Sequence, residues 1–183
     1  MGGGAQAFAR TGPSRQAGPV LPPVGSRAPG GAVVDALDPL ATAVDLGALA
    51  SGGPALLVFY KADCGASEVA APVVPRFASI GGLAVAAVSQ DGPEETARFA
   101  RAHGWTAPVR TLRDPEPWPV SDAWGVAVTP TFVLLARGGR VEAVAEGWSR
   151  DEANRLAARA AQLLGTAAVM VSRPGDGPAF RPG

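Results

Sequence analysis

Six consecutive apolar residues, Ala55-Leu-Leu-Val-Phe-Tyr60, run between Gly52-Gly53-Pro54 and Lys61-Ala62-Asp63. An unbroken run this short predicts a strand covered on both faces, because a strand with one wet face alternates apolar and polar side chains. Leu83 to Val88, LAVAAV, repeats the pattern. Covering both faces requires helices, and the segments between the runs supply them. A helix is expected from Cys64 to about Ser79, interrupted by Pro72 and Pro75. A second opens at Asp91-Gly-Pro-Glu-Glu95, where Asp91 is placed to cap and Pro93 is tolerated in the first turn. Glu94 and Glu95 suit the positive end of that helix, which reaches His103 and stops at Gly104.

Beyond it, Val109 to Leu112 is a short strand candidate, followed by the loop Asp114-Pro-Glu-Pro-Trp-Pro119. Phe132 to Ala136 and Val141 to Ala145 flank Arg137-Gly-Gly-Arg140 and read as a hairpin. Ser149-x-x-Glu152 is a capping box opening a helix that ends at Gly165. The order β-α-β-α-β-(short helix)-β-β-α predicts an α/β fold, a central mixed sheet flanked by helices on both faces. Residues 1–22 are rich in Gly, Ala, Pro and Ser without either period and are expected to be a disordered tail. One domain is expected over 23–165, and the Pro/Gly-rich stretch 166–183 is expected to be a second disordered tail.

With 47% hydrophobic and 17% charged residues, the 183-residue chain has material for one packed core. Sixteen basic residues balance sixteen acidic ones, which leaves no electrostatic footprint for nucleic acid or a membrane surface. Apolar runs stop well short of the roughly 20 residues that span a bilayer. The first twenty residues show no continuous apolar stretch of the secretory kind, so a cytoplasmic location is expected. One cysteine, Cys64, and one histidine, His103, allow no internal disulfide and no cysteine-based zinc cluster. The expected metal is none, and no cofactor is called for.

Cys64 directly follows the first apolar run and opens a helix. The carboxyl end of a central strand is where reactive groups collect in such folds. A thiol at a helix start is drawn toward thiolate by the dipole and free N–H groups. Ser67, at i+3, is close enough to donate to the sulfur. Asp63 opposes ionisation. Lys61, the one lysine beside fifteen arginines, is either a thiolate partner or a solvated strand end. A small buried hydrophobe is the other reading of a free cysteine.

Val58-Phe-Tyr-Lys-Ala-Asp-Cys-Gly-Ala-Ser67 resembles the active-site turn of thioredoxin-like redoxins, the group that includes TlpA-type thiol–disulfide oxidoreductases. Pro72 matches a proline those proteins carry in the same helix. Val128-Thr-Pro-Thr-Phe132 is similar to their cis-proline segment. Val88 to Glu95, Pro119 to Val126 and Pro23 to Pro29 resemble further stretches common in redoxin domains, so the likeness runs from about Pro23 to Gly165. The resemblance implies a thioredoxin-like fold, Cys64 as nucleophile, Lys61 and Ser67 as its thiolate-stabilising neighbours, and Thr129 and Pro130 as the substrate dock.

The second motif cysteine is replaced by Ser67, giving Cys-x-x-Ser. A serine cannot resolve a mixed disulfide. The implied function is therefore thiol–disulfide exchange by a monothiol mechanism on a protein disulfide or low-molecular-weight thiol, with an external thiol for release. The alternatives are a non-catalytic thioredoxin-fold binding module and a one-cysteine thiol peroxidase. Peroxiredoxins of related fold embed their cysteine in Pro-x-x-x-Thr-x-x-Cys, and here those positions hold Leu57 and Lys61. His103 is expected to play a structural part at a helix end. Trp118 and Trp124 flank the Pro-rich loop and are expected as packing residues, with shaping the rim of the site as the other reading, and Glu142, Glu146, Asp151 and Glu152 as surface charges.

Overall fold

In the computed structural model of the chain, residues 20–36, 40 and 42–183 are described. The expected tail 1–22 lies, through residue 19, outside them. Strand β3 (Ala55–Tyr60) pairs in parallel with β4 (Ala84–Ser89), and β4 in parallel with β5 (Val109–Arg113). On the other side β3 meets β6 (Thr131–Ala136) antiparallel, and β6 forms the expected hairpin with β7 (Arg140–Glu146). An unanticipated hairpin, β1 (Ala32–Asp35) and β2 (Ala43–Asp45), adds to the far edge through β1 and β5. The sheet order is β2-β1-β5-β4-β3-β6-β7. The sequence hides β1 and β2 because each is three or four residues long and shows no sustained alternation.

Every residue of β3 and of β6 is buried, as a two-sided core demands. On one face Leu56, Val58, Tyr60, Val85, Phe132 and Leu134 pack against α1 (Gly65–Ala70), α2 (Val74–Ala78), α3 (Pro93–Ala102) and α5 (Arg150–Leu164). On the other, Leu57, Phe59, Val88, Leu112, Val133 and Leu135 meet Val120 and Trp124 of the α4 (Pro119–Ala123) region, with Leu46 and Ala50. Each large apolar side chain buried this way stabilises the fold by about 1.5–3 kcal/mol. Helix α5 buries Ala153, Leu156, Ala157, Ala160 and Ala161, the i, i+3, i+4, i+7, i+8 stripe of an amphipathic helix. Ser149 Oγ caps it by accepting from the Glu152 N–H, and Gly165 ends it at φ 66°.

The expected helix over 64–79 is present as α1, a 3-10 turn at Ala71–Val73, and α2. Pro72 and Pro75 break it there, since each lacks the N–H of a helical bond. Asp91 does not cap α3. Gly92 holds the N-cap position without a side-chain bond, and the Asp91 carboxylate turns inward instead. Glu142, expected on the surface, has a side chain only 8% exposed between Arg140 (3.2 Å) and Arg159 (2.6 Å). Those guanidiniums hold its carboxyl below the usual range. No helix among the described residues is long and apolar enough to cross a membrane.

The segment 166–183 departs from the expected disordered tail. Val171 and Ser172 are buried. Asn154 of α5 grips both, accepting their N–H groups at 3.0 and 3.1 Å and donating to the Ser172 carbonyl at 2.8 Å. Arg76 of α2 donates to the Val171 carbonyl at 2.9 Å and pairs with Asp176. Phe180–Arg181 then forms a two-residue strand, β9, antiparallel to β8 (Trp148–Ser149). Its partners lie 17 to 100 positions away in sequence, and Pro/Gly-rich irregular backbone carries no period to announce them.

Candidate active site

Strand β3 ends at Tyr60, and the short loop 61–63 delivers Cys64 to the start of α1. Asp91, at the end of the neighbouring β4, ties this loop down: its Oδ2 accepts the Ala62 N–H at 2.8 Å and the Ser89 hydroxyl at 3.1 Å. The Ser89 hydroxyl in turn accepts from Thr96 of α3 at 2.9 Å. Tyr60, buried in the same corner, has its phenol pushed far up by burial, with opposition from Ser89 and reinforcement by the Asp91 charge. The corner is thus a rigid, hydrogen-bonded support for the cysteine loop.

Cys64 is partly exposed and free. Its thiol donates to the Thr129 carbonyl oxygen at 3.0 Å. The Thr129–Pro130 peptide bond is cis, and the thiol contact places the turn before β6 beside the start of α1. Burial raises the Cys64 pKa, but the Thr129 side chain, the Ser67 amide and hydroxyl and the Ala66 amide outweigh it and hold the thiol below its ordinary range. Ser67 is 2% exposed, and its Oγ is buried without a hydrogen-bond partner. A buried hydroxyl in that condition costs about 1–3 kcal/mol. Once the sulfur ionises it becomes an acceptor, and the Ser67 hydroxyl gains one. The arrangement favours thiolate through short-range donors.

Cys64, Ser67, Thr129 and Pro130 therefore come together as the sequence suggests. Lys61 does not join them. Its ammonium sits over the Trp118 ring, 4.5 Å from the centroid. Trp118, at φ 60°, donates its indole N–H to the Gln90 carbonyl at 2.8 Å and forms a rim beside the loop. Trp124 instead is fully buried against Phe59, 5.7 Å between rings, and takes no part in the rim. His103 ends α3, with Nε2 3.3 Å from Glu68 of α1 and its ring 4.4 Å from Phe99. Among the described residues no three His, Cys, Asp or Glu side chains converge as a metal-holding group.

Sequence reasoning missed Asp91 as a support and β9 as a neighbour. Arg181 of β9 lies against Gly65, where a Cβ would come within 2.7 Å of the guanidinium carbon. A Ser-x-Asp motif at a strand end was the available signal for Asp91; none marked Arg181.

Several solved structures share this architecture. A protein of Chlorobium tepidum assigned as a thiol:disulfide interchange protein, DsbE, is 22% identical, with a TM-score of 0.65 over 80% of this chain and 100% of that one. The thioredoxin domain of a thiol-disulfide oxidoreductase from Bacteroides vulgatus is 18% identical, with a TM-score of 0.59 over 69% and 90%. A peroxiredoxin-like protein from Aquifex aeolicus is 19% identical, with a TM-score of 0.61 over 75% and 87%. These likenesses establish the thioredoxin-like α/β fold. No curated protein matches the chain in sequence. The family model of the F plasmid transfer operon protein TraF matches residues 48–153, a span that holds β3, Cys64, Ser67, Asp91 and the cis Thr129–Pro130 bond. Since that match covers more than half of its length, the chain belongs to the TraF family.

Proposed function

We propose that the protein exchanges thiols and disulfides through the single nucleophile Cys64, in the manner of a TlpA-like redoxin with a Cys-x-x-Ser site. The observation that carries this reading is the thiol of Cys64, a partly exposed residue, held between the cis Thr129–Pro130 turn and the buried, otherwise unpartnered hydroxyl of Ser67. The thiolate attacks one sulfur of a substrate disulfide, forming the Cys64–sulfur bond as the substrate sulfur–sulfur bond breaks and the second substrate sulfur leaves as thiolate. Ser67 has no sulfur with which to displace the first. An external thiolate therefore attacks the mixed disulfide, forms a new disulfide with the substrate sulfur and returns Cys64 as thiolate.

Thr129 and Pro130 present backbone beside the sulfur and would seat the substrate. Relatives in fold described as a thiol:disulfide interchange protein and as a thiol-disulfide oxidoreductase support the chemistry. With one cysteine the chain has no internal disulfide to maintain, which suits a reducing compartment such as the cytoplasm.

The test is mixed-disulfide formation with glutathione disulfide, followed by release with reduced glutathione, in wild type and Cys64→Ser. The reading expects a glutathione adduct on Cys64 formed well above the rate of a free thiol and discharged by added thiol. An adduct formed no faster than on an unfolded peptide would overturn it. Rapid Cys64-dependent peroxide consumption without any disulfide exchange would favour the one-cysteine peroxidase instead.

A further inference from the structure

We propose that residues 178–183 form a strap that occupies, in cis, the groove an extended peptide needs to reach Cys64, so that a protein disulfide gains access only when the strap lifts. This rests on the exchange chemistry proposed for Cys64. Gly147, between β7 and β8, donates its N–H to the Pro130 carbonyl at 2.8 Å, which fixes Trp148 and Ser149 beside the cis-proline turn. That two-residue edge is paired by the chain's own strand: Trp148 with Arg181 and Ser149 with Phe180. On one flank of Cys64, the Arg181 guanidinium packs on Gly65. On the other, Gly183 lies so close to Thr129 that a Cβ there would overlap the carbonyl to which the Cys64 thiol donates. The strap thus bridges both walls of the site.

Its hold is uneven. The near end is anchored, with Trp148 Nε1 donating to the Pro178 carbonyl at 2.8 Å, the Arg150 N–H to the Ala179 carbonyl at 2.8 Å and the Arg150 guanidinium to the Gly177 carbonyl at 2.5 Å. The far end is held by its two-residue pairing and by packing on Gly65 and Thr129, with none of the side-chain anchors of the near end. Phe180 is 65% exposed, and Arg181 makes no ion pair among the described residues. A two-residue pairing on a sheet edge is easily exchanged for another strand of the same geometry. The occupant displaced is an extended segment, so the competitor is an extended segment too: a peptide strand flanking a disulfide in a protein. Small disulfides need no strand pairing and reach Cys64, a partly exposed residue, with the strap in place.

The experiment compares the 183-residue chain, a chain ending at Gly177 and the 183-residue chain with Arg181→Ala, each with insulin and with glutathione disulfide. A strap closed nine times in ten would lower the protein reaction about tenfold, so truncation should raise the insulin rate by about that factor and change the glutathione rate less than about twofold. Arg181→Ala, which leaves every anchoring bond in place, should give a smaller rise in the same direction. A synthetic peptide Gly177–Gly183 added to the truncated chain should shift the Trp148 indole N–H resonance and suppress the insulin reaction again. Equal acceleration with both disulfides, or none with insulin, would overturn the strap. So would a peptide that leaves the Trp148 resonance unmoved. Failure of both disulfides to react with any form would instead remove the exchange chemistry, and the Trp148 shift would still decide the strap.

Discussion

The Cys64 thiol and the Thr129 carbonyl oxygen lie 3.0 Å apart across 65 positions of sequence, and only the protonated sulfur can make that bond. Ionisation breaks it and leaves the Thr129 side chain, the Ser67 amide and hydroxyl and the Ala66 amide to stabilise the charged sulfur. The balance lies on the thiolate side. Alkylation of Cys64 by iodoacetamide should therefore reach half its maximal rate below the ordinary thiol value of about 8.5. In Ser67→Ala the thiolate loses a donor and the midpoint should move up, slowing alkylation at pH 7 by roughly tenfold at most.

The same shift has a signature in stability. The folded thiol loses its proton at lower pH than the unfolded one, so between those two values the unfolded chain binds more protons and stability rises with pH. The gain is complete above about pH 8.5 and is lost as pH falls through the folded pKa. Denaturant unfolding of wild type against Cys64→Ser should show that rise in the difference between them; a difference that is flat or falls with pH over this window would contradict it.

The Lys61 ammonium is engaged over the Trp118 ring, 4.5 Å from its centroid. Lys61→Met should leave the Cys64 alkylation profile unchanged while removing a cation–π contact of about 0.5–1 kcal/mol. A midpoint that rises in Lys61→Met, measured as above, would return the lysine to the thiolate.

Asp91 holds the cysteine loop through the Ala62 N–H at 2.8 Å. Replacing it with Ala strands that donor at a cost of about 1–3 kcal/mol, which lowers the melting temperature by roughly 2–12 °C in a chain of this size. Asp91→Asn keeps an acceptor oxygen and should lose less. Thermal denaturation followed by circular dichroism separates the two.

Asn154 makes three hydrogen bonds to Val171 and Ser172. Asn154→Ala should release that stretch without melting α5, since Leu156, Ala157 and Ala160 remain packed. At about 0.5–1.5 kcal/mol per bond, amide exchange at Val171 and Ser172 should accelerate by tenfold or more. Exchange at Leu156 and Ala157 should hardly change.

Much of this fold is legible in the order of residues alone. ALLVFY and LAVAAV predict central strands, the Ser149 capping box and Gly165 bracket α5, Cys64 lies at a strand end beside Ser67, and Thr129-Pro130 ahead of β6 enters through the likeness to redoxins. These signals are local: a period, a cap or a turn depends on neighbours within a few positions. What the tertiary structure decided was the choice of distant partners. Asp91, well placed to cap α3, bonds to Ala62 instead; Lys61 meets Trp118; and a Pro/Gly-rich stretch with no period lies across the site because Asn154, Arg76 and Trp148 supply the bonds it lacks. A buried N–H, a carboxylate or an ammonium takes the partner that folding brings within reach, and that geometry exists only after the sheet has assembled.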